Sequence, residues 1–177
     1  MHQDLAYWGL GEIDGILTAW LALSPATPQS GCMNFVKGSH ENPIVSHEDN
    51  FDELNLLSRG QEVKVDVAKE DKYSSALATC EMNLHHSLMI HDSRANTSDD
   101  RRIGVVMHFL SPHVKKTKQC ARLRRAHVQP LRHREFTLCD APRGLFHPDD
   151  LLLYEESRTE QAKVMMAGAK GNAEMYA

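Results

Sequence analysis

The chain opens Met1-His2-Gln3-Asp4. In an extended segment, side chains two apart point the same way, so the His2 imidazole and the Asp4 carboxylate can reach one ion. A second stretch, His85-His86-Ser87-Leu88-Met89-Ile90-His91, runs on through Asp92 and Ser93 to the pair Arg101-Arg102. Read as a strand, it puts His85, Ser87, Met89 and His91 on one face and His86, Leu88 and Ile90 on the other. Two histidines and one carboxylate on one face of an iron ion leave its remaining positions open for a co-substrate and oxygen. Each piece alone has a plainer reading, His2 and Asp4 as exposed terminal residues and His91 as a buried, satisfied histidine. Histidine numbers 11 in 177 residues, which raises the prior for a metal site without locating it.

The elements that must carry these residues are mostly extended. Residues Ile13 to Leu23 read as a strand, with Thr18, Trp20 and Ala22 on one face and Leu17, Ala19, Leu21 and Leu23 on the other. Ser24 to Gly31, with two prolines and two serines, is a loop. Phe35 to His40 leads into a polar excursion reaching about Gly60. Val63, Val65 and Val67 alternate with Lys64 and Asp66 as a half-buried strand. Residues 79 to 91 and Ile103 to Leu110 are further extended segments. The chain is basic from Lys115 to Arg134. His147-Pro148-Asp149-Asp150 opens a helix running to about Met166, with proline early and acids in the first turn. The tail from Gly168 to Ala177 reads as a frayed end. Several strands, long loops and one late helix predict a mainly β fold, a sandwich or barrel with helical decoration, with residues 1–177 as a single domain.

Composition narrows the classes. With 41% hydrophobic and 25% charged residues, the chain has a globular rather than a disordered or fibrous make-up. A formal charge of -4 argues against a general nucleic-acid binder. No apolar run approaches the ~20 residues of a membrane helix, and the first residues lack a signal-peptide pattern. The four cysteines, Cys32, Cys80, Cys120 and Cys139, show no close pairing, so reduced thiols in a cytoplasmic protein are expected.

The pattern becomes specific when its parts are taken in order. His2-Gln3-Asp4 and a third histidine, His91, in a His-X-Ser-X-X-Asn-X-Ser context, followed eleven positions later by Arg102, resemble the phytanoyl-CoA dioxygenase family. Leu17 to Leu23 and the loop Ser30-Gly31-Cys32-Met33-Asn34-Phe35-Val36 are similar to its central strand and following turn. Gly38-Ser39-His40 matches its Pro-Gly-Ser-His loop, and Asn55 to Glu62 resembles a bacterial branch. The resemblance covers roughly residues 2 to 110.

It implies a double-stranded β-helix of jelly-roll or cupin-like type with a C-terminal helix, housing an Fe(II)- and 2-oxoglutarate-dependent oxygenase. His2, Asp4 and His91 would hold iron. Arg102 would take the distal carboxylate of 2-oxoglutarate, because a planar guanidinium can meet a carboxylate with two bonds. Trp20 would lie beside the co-substrate, with core packing as its alternative, and Ser93 would add a hydroxyl. The spacing from His91 favours Arg102 over its neighbour Arg101. The implied reaction hydroxylates a small organic or acyl substrate with O2, releasing succinate and CO2, with ascorbate as a candidate reductant. Asp4 occupies the position that halogenating relatives leave to a small residue, which favours hydroxylation.

Three residues depart from the pattern. Lys37 replaces a proline, Cys80 stands near a usual turn glycine, and Asp92 follows His91, bringing a second carboxylate towards the metal. Family members also carry further elements before the His-X-Asp. The chain is therefore expected to be N-terminally truncated, with His2 and Asp4 on an unsupported end, impaired activity, and an open sheet edge through which copies could associate. The basic run reads as a solvated loop and helix face, or as a receiver of an anionic acyl-CoA. Rival readings are a non-catalytic jelly-roll remnant, or a zinc enzyme built on the same histidines.

Overall fold

The structure, a computed structural model, describes residues 1–11, 15–48, 62–63, 68, 71–115, 123–126 and 136–165. In chain order its elements are a one-turn helix α1 (Leu5–Trp8), strands β1 (Ile16–Ala22) and β2 (Met33–Val36), a 3-10 turn (Ser39–Glu41), and the short strands β3 (His47–Glu48) and β4 (Glu62–Val63). There follow β5 (Lys72–Ser75), β6 (Met82–His86), β7 (His91–Ser93), β8 (Gly104–Leu110), β9 (Leu123–Ala126), β10 (Phe136–Cys139) and the helix α2 (Pro148–Met165).

Alternation of side chains along β1 decides the packing. Thr18, Trp20 and Ala22 are buried, as their shared face requires, while Leu17 on the opposite face is exposed. β1 is the centre of an antiparallel sheet in the order β6-β1-β8, and β2 is the centre of a second, in the order β5-β2-β7. Trp20 and Ala22 from the first sheet pack with Met33 and Phe35 from the second, joined by Ala26 and Cys32. A second cluster of Leu5, Leu10, Ile16, Leu88 and Val114 closes one end. This is a jelly-roll sandwich, mainly β, with one long helix near the C-terminal end, as the sequence predicts.

Several local expectations are corrected. The segment 79–91 is not one strand. It divides into β6 and β7, which belong to different sheets. The reversal between them is a turn in which Met89 N–H donates to the His86 carbonyl at 2.9 Å and Leu88 N–H donates to His86 Nδ1 at 3.1 Å. The single-strand face assignment for His85 to His91 therefore fails. β2 arises where a turn was expected, and β5 was not foreseen. Within the basic run, Leu123–Ala126 forms a strand parallel to Phe136–Cys139 rather than a loop or helix face. The rest of that run beyond Lys115, Val65 and Val67, most of the polar excursion, Ile13 and the tail lie outside the described residues.

The start of the chain is the largest correction. His2 pairs with His91 as an antiparallel bridge that prolongs the β5-β2-β7 sheet. Leu5 N–H donates to the Ser87 carbonyl at 3.1 Å, and the Leu5 side chain is buried. Gln3 is fully buried: its amide nitrogen donates to the Leu88 carbonyl at 2.9 Å and its amide oxygen accepts from Val45 N–H at 3.0 Å. The opening residues are thus tied into the sandwich by backbone pairing and apolar contact, not resting on an unsupported end. Among the described residues, no helix is long and apolar enough to cross a membrane.

Candidate metal centre

Three elements deliver the cluster. His2 projects from the bridge beside β7. Asp4 follows where the backbone has already turned helical, at φ -58° and ψ -38°, just before α1. The His-X-Asp segment has therefore left the extended conformation by Asp4, and a turn rather than strand alternation brings Asp4 to the site. His91 opens β7. His2 Nε2 lies 3.3 Å and His91 Nε2 3.4 Å from Asp4 Oδ1. One donor atom from each of the three residues falls within 4.8 Å of the other two.

The donor chemistry suits a divalent transition metal. His91 Nδ1 is 2.9 Å from the Met89 carbonyl, which can only accept, so Nδ1 carries the proton and Nε2 presents its lone pair to the site. Burial, together with His2 alongside, pushes the His91 imidazole down to about 4, keeping it neutral and available as a ligand. Burial alone would raise the Asp4 carboxyl. The His2, His85 and His91 imidazoles around it overcome this and hold it well below the usual carboxylate range.

Further residues brace these three. Ser39, in the Gly-Ser-His loop, is buried, and its hydroxyl accepts from Ile90 N–H at 2.8 Å, fixing the approach to His91. Gly38 before it has a φ of 71°, a conformation that glycine adopts without strain. Thr18 Oγ1 donates to Asp4 Oδ2 at 3.2 Å. His85, from β6 in the opposite sheet, brings Nε2 to 3.8 Å from the same oxygen. Thr18, Ser39, Gln3 and His85 were not singled out for these roles in the sequence. The only available signal was the alternation that puts Thr18 beside Trp20 on the inner face of β1.

The residues assigned to a co-substrate also come together. Ser93 lies two positions beyond His91 on β7, hence on the same face. Arg102 Nη1 donates to Ser93 Oγ at 3.1 Å, and its guanidinium carbon sits 5.4 Å from the centre of the Trp20 ring. Gly104 makes room for this, because a Cβ there would collide with the Trp20 indole. Arg101 is exposed and bonds through its main chain: its carbonyl accepts from Ser24 Oγ at 2.9 Å and its N–H donates to Asp100 Oδ1 at 2.7 Å. Asp92 does not join the metal cluster: its carboxylate accepts from Asn34 Nδ2 at 2.9 Å across the β2–β7 pair.

Two facing antiparallel sheets with a two-histidine, one-carboxylate cluster between them define a jelly-roll domain with a candidate transition-metal centre. The family model described as phytanoyl-CoA dioxygenase matches residues 1–104, and the chain belongs to that family. A Caenorhabditis briggsae relative, phytanoyl-CoA dioxygenase domain-containing protein 1 homolog, is 26% identical over 115 residues, covering 62% of this chain and 39% of that protein. The chain spans between 32% and 39% of the length of such curated relatives. Among solved structures, the apo form of the non-haem monooxygenase ThoJ superposes with a TM-score of 0.79 over 94% of this chain and 59% of that one. At 24% identity this likeness speaks for the fold. EvdO2 from Micromonospora carbonacea var. aurantiaca, solved with 2-oxoglutarate, has a TM-score of 0.53 at 26% identity, covering 66% of this chain and 46% of that one.

Proposed function

We propose that the chain carries the core of an Fe(II)- and 2-oxoglutarate-dependent dioxygenase acting on a small organic or acyl substrate. The observation that carries this is the convergence of His2 Nε2 and His91 Nε2 on Asp4 Oδ1, at 3.3 and 3.4 Å. His2, Asp4 and His91 would hold the metal. Iron bound there supplies the oxidising power that, with O2 and 2-oxoglutarate, hydroxylates an unactivated carbon and releases succinate and CO2.

The chain's own residues do the positioning. Arg102 meets the distal carboxylate of the co-substrate. Trp20 keeps the guanidinium in place by lying against it, and Ser93 holds one of its nitrogens. The apolar walls from Trp20 and Phe35 keep water from the interior between the sheets. Asp4 stays ionised and His91 neutral, so both present lone pairs without first losing a proton.

The deciding experiment measures succinate released from 2-oxoglutarate by the purified protein, with Fe(II) in air, with Fe(II) under argon, and with Zn(II) in air. Succinate formation only with both iron and oxygen is expected. No turnover under any condition favours a non-catalytic jelly-roll domain, and binding of zinc with no response to iron favours a zinc site.

A further inference from the structure

The oxygen of Asp4 that faces away from His2 and His91 has its own set of partners. Thr18 Oγ1 donates its single proton to Asp4 Oδ2 at 3.2 Å. The same hydroxyl oxygen lies 3.1 Å from His108 Nδ1. Because the hydroxyl proton is committed to the carboxylate, His108 must be the donor in that second contact, with its proton on Nδ1. The His108 ring is in turn packed edge-on against Trp8, at 4.4 Å between ring centres. Trp8 belongs to α1, the helix that begins immediately after Asp4. Thr18 and His108, 90 positions apart, meet because β1 and β8 pair with the two residues opposite each other.

On the other side of Oδ2 stands His85, whose Nε2 is buried, 3.8 Å away, and without a hydrogen-bond partner. Its Nδ1 lies 3.0 Å from the Asn83 side-chain oxygen, and the Asn83 amide nitrogen lies 3.2 Å from Ser75 Oγ. A serine hydroxyl can donate as well as accept, so the Asn83 amide can turn over and keep both contacts, giving up only its long approach to the Met33 sulfur at 3.9 Å. Turned over, it donates to His85 Nδ1, places the imidazole proton on Nε2, and aims that proton at Asp4 Oδ2. The buried Nε2 then faces the carboxylate with a proton rather than a lone pair, at 3.8 Å.

We propose that Thr18, oriented by His108 and backed by His85, is a positioning residue that reserves Oδ2 of Asp4 for the protein, so that Asp4 offers a metal only Oδ1. A carboxylate free at both oxygens can close on a metal with two bonds and occupy a position needed by a co-substrate. Holding Oδ2 in a hydrogen-bonded cradle prevents that closure and keeps the ligand count at three. Outer-shell groups of this kind set ligand orientation and metal affinity.

This inference rests on the metal-holding role of His2, Asp4 and His91, and its test separates the two. Cobalt(II) is titrated into the metal-free protein and into Thr18→Val, Thr18→Ser, His108→Phe and His85→Phe, with affinity and visible absorption read in each case and folding followed by circular dichroism. Thr18→Val should bind cobalt roughly 10- to 100-fold more weakly, with altered visible bands as the second carboxylate oxygen enters the coordination sphere. Thr18→Ser should restore both affinity and spectrum, because it keeps the hydroxyl. His108→Phe and His85→Phe should give smaller losses in the same direction. If the unaltered protein binds no cobalt, the metal site and the cradle fall together. If it binds cobalt and Thr18→Val matches it in affinity and spectrum, the cradle alone is overturned. Equal weakening in Thr18→Val and Thr18→Ser also overturns it, because packing rather than the hydroxyl would then be responsible. Should Thr18→Val fail to fold, His108→Phe, altered at an exposed side chain, decides the matter: an unchanged spectrum and affinity there sinks the proposal.

Discussion

His2 and His91 exchange both backbone hydrogen bonds, N–H to carbonyl at 3.0 Å in each direction, while their rings stand 4.1 Å apart. Two ligand candidates separated by most of the described sandwich in sequence are thereby locked in register by main chain alone. The pairing does not depend on either side chain. His2→Ala and His91→Ala should each abolish tight Fe(II) or cobalt binding while leaving far-UV circular dichroism nearly unchanged. The amide of His91 should exchange slowly with solvent in both variants. Tight metal binding by His91→Ala would remove it from the ligand set.

Arg102 and Arg101 are adjacent but face different surroundings. Arg102 leans on Trp20 and Ser93, and burial lowers the pKa of its guanidinium from the ordinary value, whereas Arg101 is exposed. Loss of one partner from a desolvated charge pair costs about 2–5 kcal/mol, which weakens binding by roughly thirtyfold to several thousandfold. Arg102→Ala should weaken 2-oxoglutarate on that scale, measured by calorimetry on the metal-loaded protein, with Arg101→Ala close to the unaltered chain. Equal losses in the two variants would overturn the assignment.

The metal-free protein should lose stability as pH falls from about 6.5 to about 4. The His91 imidazole has an ordinary value of 6.5 and is pushed down to about 4 in the fold by burial first and then by His2. Between those limits the unfolded chain binds a proton that the folded chain does not, so acid favours unfolding. The penalty is absent above the upper limit and complete below the lower one. His47 is shifted in the same direction by burial and steepens the slope. Asp4, held low, adds its own loss only below its ordinary value of 3.8. Urea unfolding in the presence of a chelator measures this, and His91→Gln should flatten part of the slope. A pH-independent midpoint across the window would contradict the burial of neutral His91.

Cys80 has a φ of 70°, and its N–H donates to the Ala22 carbonyl at 2.8 Å in the turn before β6. A left-handed conformation costs an ordinary residue about 1–2 kcal/mol and costs glycine little. Cys80→Gly should therefore stabilise the fold by about 1 kcal/mol, less the extra chain entropy of glycine, and raise the thermal midpoint by a few degrees. A lower midpoint would mean that the turn does not hold Cys80 in that conformation.

Much of the site was legible because its signals are local. Alternation along β1 put Thr18 and Trp20 on one face, and the spacing from His91 to Ser93 and Arg102 picked out residues that do meet. The order of short motifs carried the jelly-roll fold. What escaped was set by contacts with no local signature. Whether residues 79–91 form one strand or two depends on which sheet each half joins, and both choices have the same alternation. The ordering of His2 depends on a bridge to a residue far along the chain, so distance from the terminus was a poor guide to rigidity.

The sequence by itself determined the types of the candidate ligands, their spacing and the apolar face of the central strand, because these follow from side-chain chemistry and the two-residue repeat of an extended backbone. Tertiary structure alone decided that Asp4 reaches the cluster through a helical turn, that Asp92 turns away to Asn34, and that Thr18, His108 and His85 surround Oδ2. The second and third rest on the pairing of strands far apart in the chain. A hydrogen bond between residues 14 or 90 positions apart, as Thr18 makes with Asp4 and His108, leaves no periodic trace in either segment.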